Sequence, residues 1–294
     1  MRLACFWGTL GLAVTATAAV WGGASVRKPV TRPSRMAGKS TGDTLEWSDE
    51  FNGTAALSQP NPENWTYATG RSGWGNRELE TYCAWGSKKG PCDPAQPNAY
   101  VGNDGYLHIV ARSPEHGIYT SARLTSQGLQ SFQYGRIEAR IKVPRGQGMW
   151  PAFWLLGDDI GTSPWPACGE VDIMENIGKR PTVIYGSIHG TGFTGTILGS
   201  PYQLPDHAAF AEAFHTYGIL WSPKKMEFYV DAPDNIYETR TPADLPPGAA
   251  WPFDDGKYFL LLNLAVGGGW PGPPDASTQF PKEMLVDWVR VYGR

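Results

Sequence analysis

The sequence predicts an all-β protein, built as two antiparallel sheets stacked in a sandwich or jelly roll. Three observations carry that expectation. Short segments of alternating polar and apolar residues recur along the chain, 36 Gly and 25 Pro supply turns between them, and no long amphipathic helical pattern interrupts the series. The unusual excess is aromatic, with 13 Trp, 13 Tyr and 11 Phe, flat rings suited to stacking on a flat ligand. A net charge of -3 with 18% charged residues gives no electrostatic footprint for nucleic acid or an anionic membrane.

Taken in order, residues 1–24 read as a secretory signal peptide. Arg2 precedes an apolar stretch over 3–20 and then small residues, with cleavage after Ala18 or Ala24. The apolar run is short for a membrane span, so a secreted product is expected, extracellular or periplasmic, with no membrane attachment after signal removal. Residues 25–44, rich in Arg, Lys, Ser, Thr, Pro and Gly, read as a disordered linker. Residues 45–294 show no compositional break and no repeat, and read as one domain.

Within that domain strands are expected at 105–111, 134–143, 149–157, 183–190, 214–221, 225–231, 257–266 and 284–292, as part of a set of ten or more. In 136–143 Ile137, Ala139, Ile141 and Val143 fall on one face and Arg136, Glu138, Arg140 and Lys142 on the other, the pattern of a half-buried strand. After signal removal Cys83, Cys92 and Cys168 remain. The first two enclose a short Gly- and Pro-bearing loop that a disulfide would close, and Cys168 reads as a small buried residue. No metal-ligand spacing appears.

The chemistry concentrates in CGEVDIMENIG, residues 168–178. On a strand Glu170 and Asp172 share one face, while strict alternation would bury Glu175. Burying an unpaired carboxylate is costly, so a one-residue bulge near Met174 is expected to turn Glu175 to the same side. Carboxyl groups about 5 Å apart, the spacing of retaining glycosidases, are then attainable, and Asp172 between them disfavours simultaneous ionisation. Trp150 and Trp154 share a face of 149–157, either as sugar platforms or as core. Tyr185, Ser187 and His189 share a face of 183–190, where His189 bonds sugar, positions a carboxylate or is structural.

These residues resemble glycoside hydrolase family 16, in its laminarinase-like branch. The ExDxxE signature is present as Glu170, Asp172 and Glu175, including the extra Met that separates this branch from the lichenase type. Further similar blocks are GWGNRELETY (73–82), YGRIEARIKVPRGQGMWPAFWLL (134–156), LLNLAVGGGWPG (261–272) and VDWVRVY (286–292). The resemblance implies a jelly roll with a cleft along its concave sheet, Glu170 as nucleophile, Glu175 as general acid/base and Asp172 as the residue that tunes them. It implies that Asn76, Trp150, Trp154 and His189 hold sugar near the cleavage point, and that Trp270 serves a more distant subsite or shapes its loop. It also implies a structural calcium at Asp287, with Gly105 and Glu50 as carbonyl donors, and no cofactor for the chemistry itself.

The expected activity is retaining endo-hydrolysis of internal β-1,3 or mixed β-1,3/1,4 bonds in laminarin-like β-glucan, by a monomer. The alternatives are a galactan hydrolase of the agarose or carrageenan type and a glucan transglycosylase. From a different class comes a non-catalytic glucan-binding module, which the presence of all three acids disfavours. The insertion CAWGSKKGPC (83–92) departs from the family pattern beside a cleft block and leaves the subsites there open.

Overall fold

The computed structural model describes residues 43–293. The signal segment 1–24 lies outside the described residues, as does the linker up to residue 42. Thr44, the last residue of the expected linker, already opens a strand.

Eighteen strands form among the described residues, well beyond the eight segments located from periodicity. In chain order they are β1 (Thr44–Asp49), β2 (Thr66–Tyr67), β3 (Glu80–Tyr82), β4 (Ala99–Val101), β5 (Leu107–Glu115), β6 (Ile118–Ser121), β7 (Arg123–Thr125), β8 (Ser131–Phe132) and β9 (Gly135–Lys142). They continue as β10 (Met149–Gly157), β11 (Glu170–Asn176), β12 (Ile184–His189), β13 (Gly199–Tyr202), β14 (His215–Ser222), β15 (Lys225–Val230), β16 (Ile236–Arg240), β17 (Tyr258–Val266) and β18 (Lys282–Gly293). Among the described residues the helical content is three short 3-10 turns. No helix among the described residues is long and apolar enough to cross a membrane.

Ten strands make the back sheet in the order β16-β15-β14-β9-β18-β5-β6-β3, with β1 paired to β18 and β4 to β5. Eight make the front sheet in the order β13-β12-β11-β10-β17-β7-β2, with β8 paired to β17. Pairing is antiparallel throughout except between β3 and β6. One apolar cluster fills the space between the sheets: Ile137, Ala139 and Ile141 from β9 meet Phe153 and Leu155 from β10, Val171 and Ile173 from β11, and Leu260, Leu262 and Leu264 from β17. The period-2 patterning therefore does what it predicts, committing alternate side chains to one interior.

The polar face of β9 departs from the solvated face expected of it. The strand lies between β14 and β18, and Glu138 is buried there. Its carboxylate holds Arg136 at 2.7 Å and accepts the hydroxyl of Tyr229. Alternation says which side of a sheet a residue occupies, but not whether neighbouring strands cover it.

Candidate active site

The acids gather because β11 is bulged. Trp154 of β10 stands opposite Asp172, yet Ala152 stands opposite Glu175, so β11 carries one more residue than its partner across this interval. The same shift recurs against β12, where Asp172 pairs with Ser187 and Glu175 with Tyr185. Ile173 and Met174 both enter the core, with relative exposures of 2% and 0%. Two consecutive inward residues restore the phase, so Glu170, Asp172 and Glu175 share the outer face of the front sheet, as the sequence expected. Beyond the strand the backbone passes so close to Gly146 that a Cβ on Gly178 would lie 1.6 Å from its carbonyl oxygen, a place only glycine can take.

The three carboxyl groups have unequal partners. Glu170 accepts the indole N–H of Trp165 at 2.8 Å and has Nε2 of His189 at 3.8 Å. Asp172 is buried, accepts the Ser187 hydroxyl at 2.9 Å and stands 2.8 Å from Nε2 of His189. Glu175 accepts the indole N–H of Trp150 at 2.8 Å. Burial and the charge of Asp172 push the Glu170 carboxyl up to about 8, against the opposing pull of His189, Trp165 and Arg123. Burial and then Asp172 push Glu175 well above the usual carboxylate range, with the Trp150 bond opposing and Glu170 adding to the rise. Burial draws the His189 imidazole down, but its bond to Asp172 and the charges of all three acids outweigh that and bring it to about 9. Nε2 of His189 faces Asp172, a geometry that suits positioning this carboxylate, while its buried Nδ1 meets no partner among the described residues.

The residues expected to hold sugar surround this centre. Trp150 and Trp270 meet edge to face at 5.5 Å, and Trp270 meets Tyr185 at 4.9 Å. The loop bearing Trp270 is tied down by Gln147, which donates to the carbonyls of Pro271 and Pro273 at 2.8 and 3.0 Å. The backbone N–H of Gly269 donates to the carbonyl of Asn76 at 2.8 Å, and Lys179 donates to the carbonyl of Trp270. Trp154 is half-buried on the outer face, packed against a small apolar cluster of Leu156, Cys168, Phe259 and Leu261, and its indole donates to Asn263 at 2.8 Å. One face of its ring, however, is already occupied by the Arg123 guanidinium, 4.5 Å from the centroid, which also lies 4.8 Å from the Trp74 ring. Exposed Asn76 donates to Glu78 at 3.0 Å.

Several residues here escaped sequence reasoning. Trp165 reaches Glu170 from the loop before β11, Arg123 comes from β7, and Glu78, Tyr82 and Asn263 form a buried relay behind Trp154. The blocks GWGNRELETY and LLNLAVGGGWPG contained three of the five, but single-strand alternation carries no information about which blocks meet. Cys168 is buried, as expected, and burial pushes its thiol up to about 11, which leaves it without nucleophilic character. Cys83 and Cys92 form a disulfide.

Among the described residues, the one group of three acid or imidazole side chains close enough to hold a cation is Glu170, Asp172 and His189, whose atoms lie within 4.8 Å of one another. Within it, Nε2 of His189 is held to Asp172 at 2.8 Å. The expected calcium residues lie elsewhere: Asp287 holds Arg140 at 2.6 Å, and both oxygens of Glu50 hold Arg290 at 2.9 Å.

The model of the glycosyl hydrolases family 16 matches residues 90–290, which include the whole of the bulged strand. The chain belongs to glycosyl hydrolase family 16. Within the family it is 39% identical over 260 residues to the Beta-glucanase of Rhodothermus marinus, covering 84% of each chain. Its fold superposes with a TM-score of 0.74 on the laminarinase catalytic domain of Thermotoga maritima MSB8, at 41% identity, covering 86% of this chain and 98% of that one. The endo-beta-1,3-glucanase of Pyrococcus furiosus gives the same TM-score at 42% identity, covering 85% and 94%. The two-sheet architecture is thus the family 16 jelly roll.

Proposed function

We propose that this chain is a retaining endo-glycosidase that hydrolyses internal β-1,3, or mixed β-1,3/1,4, bonds of laminarin-like β-glucans. The observation that carries the reading is the asymmetry of the two glutamates on one bulged strand. Glu170 has an indole donor and the His189 ring beside it, both of which favour its ionised form, so it loses its proton first; Glu175, with the Trp150 indole as its donor and raised well above the usual range by burial and Asp172, keeps its own. Glu175 protonates the glycosidic oxygen while a Glu170 oxygen attacks the anomeric carbon, which breaks the glycosidic bond and forms a glycosyl ester. Glu175, now ionised, takes a proton from water, whose oxygen attacks the anomeric carbon and releases Glu170. Asp172 supplies the negative charge that resists a second ionisation and is itself held by His189 and Ser187. Asn76, Trp150, Trp154 and Trp270 bind the glucan around this centre. The glucan-acting relatives support the substrate class.

Product analysis on laminarin, barley β-glucan, agarose and xyloglucan side by side tests the reading. Laminarin oligosaccharides with retained anomeric configuration are expected. Agarose cleavage without laminarin cleavage moves the assignment to a galactan hydrolase, and turnover of none moves it to a glucan-binding module. Glu175→Ala is expected to lose about 10²–10⁴-fold in kcat and to recover with an activated leaving group and a small nucleophile; no recovery removes the acid/base role.

The same proposal includes secretion as a monomer and a structural calcium at Asp287, Gly105 and Glu50. The donors are all oxygen, as a hard cation requires, and Glu50 contributes through its main chain because its carboxylate holds Arg290. Arg140 is a competing cation on Asp287. A thermal midpoint that falls on chelation and returns with calcium supports the site, an unchanged midpoint removes it, and sizing of the exported product tests the rest.

A further inference from the structure

Behind the wall that carries Asn76 and Trp154 lies a second carboxyl pair that the hydrolytic steps do not use. Glu80 is fully buried and Glu78 is 8% exposed. Glu78 accepts Nδ2 of Asn76 at 3.0 Å on one oxygen and the Tyr82 hydroxyl at 2.9 Å on the other. The Tyr82 oxygen accepts Nδ2 of Asn263 at 3.1 Å, and Oδ1 of Asn263 accepts the Trp154 indole at 2.8 Å. On Glu80, Oε2 accepts the backbone N–H of Val266 at 2.7 Å. Its Oε1 meets no donor among the described residues, and the carboxyl group within hydrogen-bonding reach is that of Glu78.

Two facing carboxylates in a dry interior cannot both be ionised, because neither charge is solvated and they repel. One proton between them turns the clash into a hydrogen bond. Donor counting places it. Asn76 and Tyr82 both donate to Glu78, whereas Glu80 receives the backbone N–H of Val266, so the negative charge is better stabilised on Glu78, and a proton on Glu80 gives Glu78 a third donor. Burial, then the hydrogen bond and charge of Glu78, raise the Glu80 carboxyl far above the usual range, and burial with both acids keeps Tyr82 a hydroxyl. The Arg123 guanidinium of this wall sits between the Trp74 and Trp154 rings.

We propose that Glu78 and Glu80 share one proton, borne by Glu80, and that the resulting Glu78 carboxylate is the positioning residue for the sugar-binding wall. The single charge at one end and the Trp154 indole, a donor only, at the other agree on the direction of every donor in the relay. Tyr82 must give its proton to Glu78, so it must accept from the Asn263 amide, so the Asn263 carbonyl must face the Trp154 indole. Asn76 turns its amide nitrogen inward and keeps Oδ1 as an acceptor for a sugar hydroxyl. The inference rests on the reading that this wall faces a β-glucan.

Steady-state kinetics on laminarin with the whole protein test it. Glu78→Gln and Glu80→Ala are each expected to lose about ten- to a hundred-fold in kcat/KM, mostly through KM, the scale of a lost hydrogen bond to a charged group. Glu80→Gln supplies a neutral donor in the same place and is expected to recover to within a few-fold of wild type. Equal impairment of Glu80→Gln and Glu80→Ala, a Glu78→Gln variant with wild-type KM, or failure of Glu80→Gln to fold would each overturn the proposal. An infrared readout is independent of activity: a protonated-carboxyl band at neutral pH is expected in wild type and reduced in Glu80→Gln, and an unchanged band overturns the proton assignment. A wild-type protein inert toward laminarin would instead defeat the glucan reading and leave the infrared result standing.

Discussion

At the scale of single residues, what separates two glutamates five positions apart is the company each keeps. Glu170 is reached by the half-exposed Trp165 from a loop, and that hydrogen bond favours its ionised form. In Trp165→Phe the donor is gone, so the Glu170 carboxyl rises and a larger share stays protonated at any given acid pH. Because attack needs the carboxylate, the acid limb of the kcat/KM profile is expected to move to higher pH, with a several-fold loss on that limb and little change where Glu170 is fully ionised. An acid limb that stays in place would show that Trp165 does not act on the nucleophile. The acids themselves were legible in the sequence because three carboxylates within six residues of a strand are chemically expensive to bury. Trp165 was not, because a loop tryptophan has no periodicity to give it a direction. His189 lay between: its face was legible, but its partner depended on the pairing of Glu170 with His189 and of Asp172 with Ser187 across two strands.

At the scale of elements, the bulge in β11 is a local insertion with neighbours in register on both sides. Removing Met174 leaves Glu175 one position nearer Asp172, which matches the unshifted ladder to β10 and β12 and returns all three acids to strict alternation. The deletion is therefore expected to keep the acids on the outer face while losing a fully buried methionine, at a cost of about 2–5 kcal/mol in unfolding free energy. An alanine inserted between Met174 and Glu175 should instead turn Glu175 into the core and abolish turnover. Comparing the urea midpoints and laminarin rates of the two variants tests this, and an active insertion variant would refute the phase argument. Longer strands were the legible ones: the expected 149–157 coincides with β10, and 257–266 overlaps all but one residue of its span with β17, whose nine residues are all buried. The two- and three-residue strands β2, β3, β4, β7 and β8 are too short to show a period, and they are held by tertiary pairing alone.

At the scale of the whole molecule, the three acids stand on the front sheet while the back sheet closes the core. The 83–92 loop is stapled at the edge where β3 meets β6, with Cα atoms 5.7 Å apart across a separation of 9 residues. Closing so short a loop restricts the unfolded chain modestly, so Cys83→Ser is expected to lower stability by about 2–3 kcal/mol. Denaturant titration of the variant against wild type measures it, and an unchanged midpoint would show that the loop needs no staple. The first and last described strands pair with one another, Thr44 standing opposite Gly293 on the back sheet. Chain order is therefore interchangeable with spatial order at that seam. A circular permutant that joins residue 293 to residue 44 through a short Gly-Ser linker and opens at the exposed turn between Pro233 and Asp234 severs no pairing of the front sheet. Such a permutant should keep its laminarin turnover, with its new ends at the turn between β15 and β16 of the back sheet.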